Sequence, residues 1–209
     1  MLKVFFLLFE PAATWDRIAQ ARRGYAFILG TYLLPLLLLV TAVNGWGLKQ
    51  WGKWQPPFRK VREYDLANVV TFETVQFGLT LAAIFFSSLF ILRTARTFHG
   101  RHTYLQAFTV AAYATAPMLL MQFLDTLPMM NPAGTWGVGV CFSVWILYQG
   151  LPRVIQPDPT HAFGLYLTTA IIIVMTSALS RLFTTMYLLG YMDMNHSYLM
   201  RKLVHLFGN

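Results

Sequence analysis

Few side chains in this 209-residue chain are of a type that does chemistry. His99 and His102 stand three residues apart, a spacing that brings two imidazoles to one helical face as metal ligands. A metal site needs further ligands, and neither a carboxylate nor a cysteine lies near them in sequence. They read as interfacial histidines in a basic loop. The lone Cys141 excludes a disulfide framework and a cysteine-based zinc site; in an apolar stretch a thiol packs as a small hydrophobe. The chain has no Gly-x-Ser-x-Gly elbow and no glycine loop that would cradle phosphate. Acids that could couple a transport cycle fall at the ends of apolar stretches: Glu73 before the second, Asp125 after the third, Asp158 between the fourth and fifth. Arg181 is the one possible intramembrane charge. The expectation is a protein that is not an enzyme and takes no cofactor and no metal.

The elements that would position these groups follow from composition. Apolar residues make up 56% of the chain and charged residues 11%, against about 45–50% and about 25% in soluble domains. So little charge cannot cover a soluble protein, and the aromatic content of 16% is foreign to disordered chains. A polytopic membrane protein remains. A span needs about 20 mostly apolar residues, and five stretches qualify: Tyr25 to Val43, Val75 to Leu92, Ala107 to Leu124, Gly134 to Leu151, and Ala162 to about Leu189. Nothing alternates over ten-residue strands, so the fold class is all-α, a membrane bundle of five transmembrane helices rather than a barrel. The fifth stretch would reach about 42 Å as one helix, beyond the roughly 30 Å hydrocarbon layer. The favoured reading ends the span near Ser180 and lays the remainder along the interface, where Arg181→Leu would leave folding intact; the alternative is one long tilted helix whose Arg181 snorkels or faces the bundle interior.

Lys and Arg in the flanks bear on orientation. Eight lie on the amino-terminal side and seven on the other, but five of those seven belong to the loop from Asn44 to Thr74. With that loop set aside, the amino terminus is cytoplasmic. Amphipathic interfacial helices are expected at both ends. Residues Pro11 to Arg23 place Trp15, Ile18 and Ala19 on one face with arginines to meet headgroups. The stretch 195–207 sets Leu199, Leu203 and Leu206 opposite Arg201, Lys202 and His205. The expected domain is single: 1–24 interfacial, 25–190 the five-helix bundle, 195–207 amphipathic. Trp46, Trp51 and Trp54 among lysines suit an interfacial anchor far better than a nucleic-acid surface. Pro35 and Pro117 each remove a backbone hydrogen bond from a span and would kink it.

Two segments carry a resemblance: Thr97 to Leu120, and Trp145 to Val174. The first holds Tyr113 with Pro117 a few residues on. The second holds a Tyr-x-Gly-Leu-Pro turn (Tyr148, Gly150, Leu151, Pro152), then Pro157, Pro159, Ala162 and Gly164 leading into the fifth span. With the opening Glu10 to Trp15, these segments resemble the Yip1 family of small five-span membrane proteins, in particular its bacterial branch. The residues agree with such a turn: Gly150 permits a conformation closed to other residues, Leu151-Pro152 stops the helix, and Tyr148 reaches the interface. Pro152→Ala would then destabilise the turn. The resemblance implies a multi-pass protein of the bacterial inner membrane. Eukaryotic relatives are membrane scaffolds that bind Rab-type GTPases through a long cytosolic segment with an Asp-Leu-Tyr-Gly-Pro motif. That motif is absent from this chain, so GTPase binding is not carried over.

The expected function is a non-enzymatic membrane scaffold or accessory subunit. Its partners are the lipid bilayer and other membrane proteins, or a second copy of itself, with no nucleic acid. Small residues such as Gly78, Ala111, Ala112, Gly137 and Gly139 would allow close helix approach. The alternative is a carrier or channel for a lipid or small solute, with a cavity near Arg181 and Pro117.

Overall fold

The computed structural model describes residues 3–97, 103–189 and 191, and its architecture is all-α. Two short helices, α1 (Lys3–Phe9) and α2 (Pro11–Ala21), precede the bundle. Pro11 suits the first turn, where its missing N–H has no helical partner to lose. The first long helix runs continuously from Tyr25 to Trp51. It comprises α3 (Tyr25–Ile28), a π-turn (Leu29–Leu33) and α4 (Leu34–Trp51). The π-turn lies immediately before Pro35, whose ring disturbs the bonding of the preceding turn.

This helix continues eight residues beyond the expected boundary at Val43, so Asn44 to Trp51 are helical rather than loop. The true connection is short and contains an antiparallel hairpin, β1 (Lys53–Gln55) with β2 (Lys60–Arg62), entered at Gly52 with φ of 65°. Helix α5 (Leu66–Thr97) follows. Next, α6 (Tyr104–Ala114) starts on a capping box in which the Thr103 and Gln106 side chains each accept from the other's backbone N–H. The helix breaks at Thr115 and resumes as α7 (Ala116–Met121), with Pro117 in its first turn. A 3-10 turn (Gln122–Thr126), α8 (Pro132–Val154) and α9 (Ala162–Leu188) complete the described chain.

Four helical stretches are long and apolar enough to cross a membrane: Tyr25–Trp51, Leu66–Thr97, Tyr104–Thr126 and Ala162–Leu188. Helix α8 has the length, 23 residues, but not the apolarity of those four. The Tyr104–Thr126 stretch is the axis of the bundle, since 72% of its apolar window is buried against 22–33% in the others. Alanine makes that possible. Ala107, Ala111, Ala112, Ala114 and Ala116 are all buried to within 1%, and their small size lets α5 and α8 close on α6. Gly139 belongs to the same set, because a Cβ there would lie 2.8 Å from Met118 Cα. Gly78 and Gly137 do not, since nothing stands within 4 Å of a Cβ at either.

Three expectations are corrected here. The fifth hydrophobic stretch is one continuous helix to Leu188, with no break near Ser180, and Arg181 is buried inside the bundle rather than at the interface. The face of α2 that holds Thr14, Trp15 and Ile18 is buried against α8 and does not meet lipid. The Tyr-x-Gly-Leu-Pro segment is not a turn: Tyr148, Gly150, Leu151 and Pro152 all lie within α8, which ends at Val154. Pro152 is exposed there and costs only the bond its N–H would have made. Pro152→Ala is therefore expected to keep or raise thermal stability in detergent, by about 1 kcal/mol, the net worth of one backbone hydrogen bond; a clear loss would restore a turn-forming role. The expected helix 195–207, and His99 and His102, lie outside the described residues.

Candidate functional site

At one end of the bundle, four ionisable side chains converge that are far apart in sequence. Arg181 comes from the last two turns of α9, Asp125 from the 3-10 turn, Lys53 from β1 and Glu73 from the second turn of α5. All four are at least 95% buried. Arg181 Nη2 forms an ion pair with Asp125 Oδ2 and a hydrogen bond to Thr135 Oγ1 at 3.0 Å. Its Nε donates to the Pro132 carbonyl at 3.1 Å. The Thr135 hydroxyl in turn donates to Asp125 Oδ1 at 2.5 Å. The guanidinium is thus held through charge-assisted bonds by the start of α8 and the turn before it. Its Nη1 has no hydrogen-bond partner among the described residues. A cleft of about 30 Å3 beside it has room for about two waters.

Lys53 ties the loop to the same turn. Its Nζ donates to the Asp125 carbonyl at 2.6 Å and the Leu127 carbonyl at 2.8 Å. Nearby, Thr126 Oγ1 donates to Asn44 Oδ1 at 3.0 Å, which fixes α4 to the turn. Burial pulls the Lys53 ammonium down from 10.5 to about 8; the Asp125 charge opposes that shift and the Arg181 charge adds to it. Between pH about 8 and 10.5 the unfolded chain carries a proton that folded Lys53 has released. Stability therefore rises with pH across that window, by up to about 3 kcal/mol. Denaturation followed by tryptophan fluorescence should show that rise, and Lys53→Met should abolish it.

Glu73 is the odd member. Both carboxyl oxygens are buried without a hydrogen-bond partner among the described residues, beside Asn44, Gln76 and Asp125. It is not ahead of a span, as its position in sequence suggested, but within α5.

The residues of the family resemblance sort differently. Tyr113 and Gly150 meet at the opposite end of the bundle, where both enclose Trp15. The Trp15 indole lies edge-on to Tyr113 at 6.0 Å, and Tyr32 stacks on Tyr113 at 4.2 Å. Trp15 Nε1 donates to the Ile146 carbonyl at 3.0 Å. Gly150 has ordinary helical geometry, and what it supplies is space: a Cβ there would sit 2.5 Å from Trp15 Cδ2 and Cζ2. Leu151 is in the core, and Tyr148 is exposed with its ring edge-on to Tyr166 at 5.3 Å. Ala162 and Gly164 open α9, half-buried, and Pro117 is buried in α7. Pro117 does not line the cleft beside Arg181, although its neighbours Thr115 and Met118 do.

Reading the sequence did not anticipate the pairing of Arg181 with Asp125 or the burial of Lys53 and Glu73. The Trp15 contact had one usable signal, the apolar face shared with Ile18. Among known proteins, the family model described as the Yip1 domain matches residues 5–188. No curated protein and no solved structure matches the chain.

Proposed function

This chain belongs to the Yip1 family, and from that premise we propose that it is a membrane scaffold or accessory subunit that associates with other membrane proteins. The observation that carries the reading is the closed state of Arg181. A carrier would be expected to keep its intramembrane charge accessible to a solute. Here the guanidinium is committed to Asp125, Thr135 and the Pro132 carbonyl, and the adjoining cleft holds about 30 Å3. The larger hollows, about 380 and 630 Å3, lie between α4 and α5 and at the other end of the bundle. The outer flank supports the same reading. Helix α9 exposes Phe163, Leu167, Ile171, Met175, Leu179, Leu182 and Met186 along one face, a surface suited to lipid or to a partner's helix.

In this proposal α8 also crosses the membrane, as the fourth of five spans in chain order, since its 23 residues reach about 34 Å and it packs beside α6, α7 and α9. The membrane is the bacterial inner membrane and the amino terminus is cytoplasmic. The motif residues Tyr113, Pro117, Gly150 and Leu151 serve the packing of the bundle. The test is purification from native membranes in mild detergent, followed by native mass spectrometry. A stoichiometric protein partner or a defined homo-oligomer supports the proposal. A lone monomer that retains a small solute overturns it in favour of a carrier.

A further inference from the structure

The basin of about 630 Å3 at the amino-terminal end lies between the end of α2, the start of α6 and the end of α8. Its volume is in the range of small-molecule sites, roughly 300–1,000 Å3. Among the described residues, three arginines line it, Arg22, Arg23 and Arg153, and no carboxylate does. Two of the three guanidiniums are already oriented. Arg153 is held by Asp16 Oδ1 at 3.0 Å and the Gln149 carbonyl at 2.5 Å, and Arg23 lies over the Phe27 ring at 4.2 Å. The rest of the wall is mixed: Ile18, Ile28 and Leu105 give it apolar area, Gln106 and Thr109 are polar, and it extends to Tyr113. Tyr113 lies about 13 Å along α6 from its first residue, Tyr104.

Backbone conformation singles out the same place. Three non-glycine residues among those described have left-handed φ, and two of them, Arg22 at 41° and Gln156 at 50°, line this basin. Glycine would take the conformation at Arg22 without steric cost, so the arginine there is held against a local preference. Both positions follow helix ends, of α2 and of α8, where a left-handed residue is a common stop that fixes the direction of the chain at the mouth of the basin.

We propose that this basin binds a phosphoryl group, with the arginines on its oxygens in the forked geometry that guanidinium favours. The group belongs either to an anionic lipid, whose glyceride portion would lie against Ile18, Ile28 and Leu105, or to a free phosphorylated anion that uses the arginines alone. The inference is independent of the scaffold reading: the basin can bind with no protein partner present, and a partner can bind with the basin empty.

The test uses the full chain and the variant Arg22→Gly/Arg23→Gln. Arg22→Gly relieves the left-handed backbone and Arg23 is exposed, so the fold is retained; an unchanged Tm checks this. One arm titrates inorganic pyrophosphate by calorimetry. The other measures retention of phosphatidylglycerol by native mass spectrometry, after reconstitution in phosphatidylcholine nanodiscs containing phosphatidylglycerol. Arg59→Gln/Lys60→Gln, which removes two charges at the opposite end, is the control. The variant should weaken binding by about tenfold or more while the control leaves it unchanged. Pyrophosphate binding identifies a free anion, and retention of a single lipid identifies the headgroup. Binding of neither probe, or equal loss in variant and control, overturns the proposal.

Discussion

Arg181→Leu is expected to destabilise this protein by about 3–5 kcal/mol, the cost of leaving a buried partner charge uncompensated. The carboxylate of Asp125, 96% buried, would keep only the Thr135 hydroxyl as a side-chain partner. The Pro132 carbonyl would lose one of its donors as well. In a chain of this length the change corresponds to roughly 6–20 °C in Tm, readable from tryptophan fluorescence in mild detergent. Asp125→Leu should do equal damage from the other side. The double variant distinguishes a paired charge from a bulky side chain that merely fills space. Arg181→Leu/Asp125→Leu removes one charge of each sign and so leaves the net charge of the cluster unchanged, and it should recover most of the loss. If Arg181→Leu is as stable as the parent, Arg181 is hydrated at an interface and the pairing is wrong.

Why the pairing escaped a reading of the sequence is instructive. Asp125 and Arg181 are separated by 56 residues and reside on elements whose relative rotation depends on packing, not on local pattern. Each, taken alone, sits near the end of an apolar run, where a charge is ordinary. The long helices themselves were legible, because apolar length is a one-dimensional property. Their ends were not. Asn44 to Trp51 carry two glycines, a lysine and a glutamine, yet they are helical because the buried face of Asn44, Gly47 and Leu48 packs toward the 3-10 turn. The Arg181 segment likewise continues as helix once the charge has a partner inside. Local polarity predicted an exit from the membrane in both places, and tertiary contact overruled it.

Gly150→Ala makes the same point at the other end of the bundle, and by a route that can be isolated. On grounds of propensity alone, Gly to Ala inside a helix stabilises by about 1 kcal/mol. Gly78→Ala on α5, where nothing lies within 4 Å of the new Cβ, should show that gain. At Gly150 the methyl would enter the space of the Trp15 indole, which is fully buried and cannot rotate away without breaking its bond to the Ile146 carbonyl. Overpacking of this kind costs about 1–3 kcal/mol net, occasionally more, and the sign of the effect is opposite to that at Gly78. Trp15→Phe gives the methyl room, and the Ile146 carbonyl that loses the indole donor lies within α8. The two changes together should therefore cost less than their sum, with a coupling of about 0.5–3 kcal/mol. Strict additivity would mean that Gly150 acts through the backbone of α8 alone, and Trp15 would then not be what the glycine of the Tyr-x-Gly-Leu-Pro segment accommodates.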